Sequence, residues 1–210
     1  MSKTHYYSAH ATALRADLGK AISREQMREF HTKQPWRHFV VAVRQFLILG
    51  AATWALIRFD DPLIWLPVAL VQGFTVFNFT VLLHEVLHHN VFQTRHPLAE
   101  RALGFLYAVP SGIAPSQFTR WHLDHHAELG SNDDDPKRHY LSPKRNARWY
   151  KALYATPVLF PIYFRAARLE SSTYPAELQK TIAWERRISI LFHVGVLAGI
   201  WWAWGGAAAF

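Results

Sequence analysis

The sequence predicts an all-α, integral helical membrane protein. About three spanning helices are expected, with a histidine-rich helical cap on the cytoplasmic side. Three observations predict this. Three apolar runs, 38–58, 63–83 and 188–210, have roughly the twenty residues a helix needs to cross a bilayer. The basic residues largely avoid those runs: of 23 Lys and Arg, seven lie in 1–37 and fourteen in 95–187, and the other two are Arg44 and Arg58. Six of the thirteen histidines fall in two short clusters, at 84–89 and 122–126, spaced to share a helix face.

The totals narrow the options. A length of 210 residues suits a single domain. There is no cysteine, which excludes disulfides and thiolate metal sites. A net charge of +8 could point to nucleic acid, but its distribution reads as an orientation signal and lipid headgroup contact. Both basic regions then belong in the cytoplasm, together with the N-terminus and both histidine clusters. No nucleic-acid partner is expected. The opening Met1-Ser2-Lys3 leads a stretch that stays polar for over thirty residues, without the pattern of a cleavable signal peptide.

Residues 1–37 form a polar, basic cytosolic segment, and 38–210 a membrane domain. Residues 1–20 read as a partly disordered tail. Ser23-Arg24-Glu25-Gln26 is a loose helix start for a short surface helix over 23–33, ended by Pro35. The first span follows, with Arg44 near enough to its end to reach the interface. Phe59-Asp60-Asp61-Pro62 is a tight turn into the second span, so the two form a hairpin. Gln72, Thr75, Asn78 and Thr80 in the second span must find hydrogen-bond partners, and bonds between helices are the expected solution. Residues 98–118 and 152–164 are too short and too broken by Gly and Pro to cross, and read as interfacial. Residues 165–187 are charged and read as a surface helix before the third span.

The second span runs directly into His84-Glu85-Val86-Leu87-His88-His89. After thirty-two residues comes His122-Leu123-Asp124-His125-His126. His84 and His88 are four apart, as are His122 and His126, and His122 and His125 are three apart. Each cluster can therefore aim at least two imidazoles at one point. Imidazole is the commonest metal ligand, and nitrogen-rich sites suit Zn, Cu, Fe and Ni. His84-Glu85-x-x-His88 also matches the HExxH pattern of zinc hydrolases, with Glu85 as general base. Spacing alone does not choose between iron and zinc. His96 and His139 read as isolated surface residues, and His193 as a helix-packing hydrogen bond.

The two boxes, HxxxHH and HxxHH, resemble those of the membrane fatty acid desaturase family, over roughly residues 38–210. The stretch Pro110-Ser111-Gly112-Ile113-Ala114-Pro115-Ser116, with Arg120-Trp121-His122-Leu123-Asp124-His125-His126 and Leu129-Gly130, is most similar to the sphingolipid desaturase branch. The resemblance implies a non-haem di-iron centre, O2 as oxidant, and a ferredoxin- or cytochrome b5-type electron donor. It implies a lipid acyl chain as substrate, in the bacterial inner membrane or the endoplasmic reticulum. It implies His84, His88, His122, His125 and His126 as ligands and catalytic residues, with His89 a further ligand. Asp124 and the run Asp133–Asp135, Asp135 above all, are implied as carboxylates that fix imidazole tautomers. The family's third box and fourth span are absent, so the chain is expected to be C-terminally truncated. The alternatives are a related hydroxylase or carotenoid ketolase, a membrane zinc hydrolase, and an inactive relative.

Overall fold

The computed structural model describes residues 5–138, 148–152, 156 and 158–205. His139, on the sequence reading a surface residue, and the end of the third span at 206–210 lie outside them. The described residues form, in chain order, α1 (Tyr6–His10), α2 (Thr12–Ala21), α3 (Arg24–Phe30), α4 (Pro35–Arg58) and α5 (Pro62–Leu87). Then come α6 (Pro97–Ala108), a 3-10 turn (Val109–Ser111), α7 (Pro115–Ala127), α8 (Arg148–Ala152), α9 (Leu159–Ser171) and α10 (Ala176–Trp204). No strand occurs among the described residues. Among the described residues, three helices are long and apolar enough to cross a membrane, as expected, and they end in α4, α5 and α10. The chain divides into two compact units, 32–115 with 182–210, and 1–31 with 116–181.

The first unit holds the α4–α5 hairpin. Pro35 and Pro62 each sit in the first turn of their helix, where a missing N–H costs nothing. Asp61 caps α5 by accepting from the Leu63 amide at 2.9 Å. Of the polar groups of the second span, Gln72 and Thr80 meet side chains outside α5, while Thr75 bonds its own helix rather than another. Gln72 Nε2 donates across the hairpin to Thr53 Oγ1 at 3.0 Å, and Thr75 Oγ1 donates back to the Val71 carbonyl. Ser111 Oγ donates to the Val76 carbonyl at 3.0 Å, fastening the 3-10 turn to α5. The turn closes on Gly112, whose φ of 65° is open to glycine without strain. Phe79 and Tyr107 are fully buried, and Phe79 lies 4.6 Å from Phe46, ring centre to ring centre. Tyr107 Oη meets His38 Nε2 at 3.0 Å. Burial pushes the Tyr107 phenol up to about 12, so it stays neutral and keeps this hydrogen bond at any physiological pH. In α10, His193 Nδ1 bonds the Ser189 carbonyl of its own helix at 2.7 Å.

The second unit holds α1–α3, α7–α9 and the start of α10. Trp121 of α7 packs on Ala166, Ala167 and Tyr163 of α9, and Gln117 Nε2 donates to the Ala167 carbonyl at 2.7 Å. The start signal at Ser23 is a full capping box: Ser23 Oγ accepts from the Gln26 amide, and Gln26 Oε1 accepts from the Ser23 amide.

Two expectations are corrected here. Residues 6–10 and 12–21 are helical rather than a disordered tail. A distant contact holds the start of α1: buried Glu128 accepts from the Tyr6 amide at 3.1 Å and pairs with His5 Nδ1 at 2.7 Å. Residues 165–187 are not one surface helix. Pro175 cannot continue α9, so the chain breaks at 172–175, and α10 starts at Ala176, well ahead of the expected span.

Candidate metal-binding histidines

The first cluster is built into the end of α5. His84 lies in its last turn and His88 is its C-cap. Helical spacing brings their ring centroids to 4.5 Å, and both side chains are half-buried. His84 Nδ1 lies 3.3 Å from Glu85 Oε1, and Glu85 Oε2 accepts from Asn90 Nδ2 at 3.2 Å. The helix stops at His89, whose φ is 57°. The His89 amide donates to the Val86 carbonyl, and the Asn90 amide to the Glu85 carbonyl, both at 2.9 Å. This is a Schellman stop with histidine in the left-handed position that glycine usually fills. The His89 ring then meets Glu100 of α6, with Nδ1 2.8 Å from Oε2.

The second cluster lies on α7. His122 is buried, and its Nε2 lies 2.8 Å from His126 Nε2. Two ring nitrogens at that distance either share one proton or aim two lone pairs at one cation. His125 turns the other way and places Nδ1 2.7 Å from Asp135 Oδ1. Asp135 is buried, and Oδ1 also accepts from the Lys137 and Arg138 amides. A carboxylate there accepts from Nδ1–H of His125, and in the neutral form of that ring the lone pair lies on Nε2. Asp124 faces Arg120 instead, at 2.7 Å. Lys137 Nζ reaches to 3.4 Å from His122 Nδ1, and burial pulls this ammonium below its usual range, partly opposed by Asp135.

His84, His88, His122 and His126 each offer a ring nitrogen that could bind a metal. The donor set is all imidazole, which fits iron or zinc and includes no thiolate. Sequence reasoning missed Glu100, Glu128 and Lys137. Glu100 sits in an apolar-looking segment and Glu128 follows α7 with no local signal. Only the folded chain shows that both carboxylates are buried.

A family model for fatty acid desaturases matches residues 61–210. Sphingolipid delta(4)-desaturase DES1 of Bos taurus is 25% identical over 144 residues, covering 56% of this chain and 44% of the relative. The chain thus spans less than half the length of the curated relative it matches. No solved structure matches it.

Proposed function

The chain belongs to the fatty acid desaturase family, and on that premise we propose that it takes part in introducing a C=C bond into a membrane lipid, with the long-chain base of a sphingolipid as the favoured substrate. The substrate class rests on the likeness to a sphingolipid desaturase and on the stretch from Pro110 to Gly130. His84, His88, His122, His125 and His126 serve as ligands of a di-iron centre, and His89 as a further ligand. The observation that carries this reading is the pairing of imidazoles one helical turn apart, found separately in α5 and in α7. Bound iron would supply activation of O2 for attack on an unactivated methylene. The protein's own part is to hold ring nitrogens in fixed tautomers, as Asp135 does for His125. In the net reaction the lipid loses two hydrogens, a ferredoxin- or cytochrome b5-type donor gives two electrons, the medium gives two protons, and O2 is reduced to two molecules of water. The histidines and the N-terminus face the cytoplasm, where such a donor works.

The test is to express the protein in membranes, supply saturated sphingolipid bases, and follow products by mass spectrometry. A product lighter by two hydrogens is expected, with iron copurifying. A product heavier by one oxygen would select the hydroxylase alternative instead.

Glu85 separates this reading from zinc hydrolysis. Its contact with His84 is long, at 3.3 Å. Glu85→Gln is therefore expected to cost no more than about tenfold in iron affinity, the low end for a partner behind a ligand. Ester or peptide hydrolysis by the parent that vanishes in this variant would establish Glu85 as a general base and overturn the desaturase reading.

A further inference from the structure

Glu100 is a carboxylate without an ordinary reason to be where it is. It stands in the first turn of α6, where an acid favours the helix dipole. An exposed acid would do that without losing water. Glu100 is only 7% exposed, and its Oε1 is buried with no hydrogen-bond partner among the described residues. Burying a carboxyl oxygen without a partner is costly unless something is gained. Arg95 offers little return, since its Nε is 3.9 Å from Oε2 and its side chain is mostly exposed. The close contact is His89 Nδ1, at 2.8 Å.

His89 is held from its other sides too. Its backbone sits in the left-handed region, which costs free energy for any residue but glycine. Lys33 Nζ donates to its carbonyl. A chain that needed only a helix stop here would have used glycine. The strain and the buried acid act on one side chain, whose position they fix.

We propose that Glu100 is a positioning residue for His89: it accepts the Nδ1 proton, locks the ring as the Nδ1–H tautomer, and so presents the Nε2 lone pair as a metal donor. The role of His89 as donor rests on the iron-site reading above. Glu100 then does for the histidine just past the end of α5 what Asp135 does for His125 on α7.

Two measurements on the full protein in detergent test this. The first uses no metal. Nitrogen NMR of the imidazoles is expected to show His89 as the pure Nδ1–H tautomer in the parent. Glu100→Leu, which keeps bulk but accepts no proton, should give a mixture, and Glu100→Gln, which can still accept, should restore the lock. A mixed tautomer in the parent, or no change in Glu100→Leu, would overturn the proposal. The second measurement is Fe(II) titration of the metal-free protein. Glu100→Leu should weaken binding by about 10- to 100-fold, and should weaken it no further once His89 is alanine. An equal loss with and without His89 would show Glu100 acting through the fold alone, and would overturn the proposal. Failure of the iron reading would show separately, as a parent that takes up no iron yet keeps the locked ring.

Discussion

Replacing His122 by alanine is expected to strip iron from the protein and abolish the lipid product. His122 is buried, so no water-exposed side chain can take its place, and its Nε2 is the partner of His126 Nε2 at 2.8 Å. The loss should exceed the roughly 10- to 100-fold cost of removing a partner one shell out. His125→Ala should behave alike, since it deletes a ring and takes one of the donors from the buried Asp135 carboxylate. The measurement is iron per polypeptide on protein that still runs as a single species in detergent. Iron content unchanged in both variants would sink the ligand assignment. Under a zinc hydrolase reading limited to the first cluster, both variants would keep their metal, so the same measurement separates the two chemistries.

Phe79→Ala should produce the largest loss of stability. Phe79 is fully buried on α5, between Phe46 of α4 and Tyr107 of α6. In a water-surrounded core, Phe→Ala costs about 3–5 kcal/mol, part transfer and part cavity. In lipid the transfer part fades, because acyl chains are as apolar as the core, and the packing part remains. A loss of about 2–3 kcal/mol is therefore expected. The check is reversible unfolding in detergent, beside a lipid-facing control such as Phe74→Ala, which is expected to be near neutral because Phe74 is exposed. Equal losses at both positions would mean that Phe79 is not part of a packed core.

The helices that cross a membrane were legible because their signal is local. Twenty apolar residues in a row announce α4 and α5 without reference to the rest of the chain, and Ser23 with Gln26 announces α3. The imidazole pairs were legible for the same reason, since spacing of four on a helix fixes which rings meet. What the sequence hid depends on distant partners. Glu128 orders residues near Tyr6, more than a hundred positions away. Glu100 finds His89 through a loop whose path no periodicity encodes. Asp124 and Asp135 looked equivalent as acids near the second cluster. Only the turn after α7 decides that Asp135 takes His125, while Asp124, four residues after Arg120, takes its own helix neighbour.

Because α5 is continuous from Pro62 to Leu87, it works as a ruler. Its rise from Pro62 to His84 is about 33 Å at 1.5 Å per residue, close to the roughly 30 Å thickness of a bilayer's hydrocarbon. The distance from Pro62 to the α5 imidazoles is thus counted in residues of one helix, interrupted only by the proline at Pro67. Adding one residue to the span would raise His84 by about 1.5 Å and swing it by about 100° around the axis. Reach along the axis and imidazole direction both follow from the number of residues in one helix.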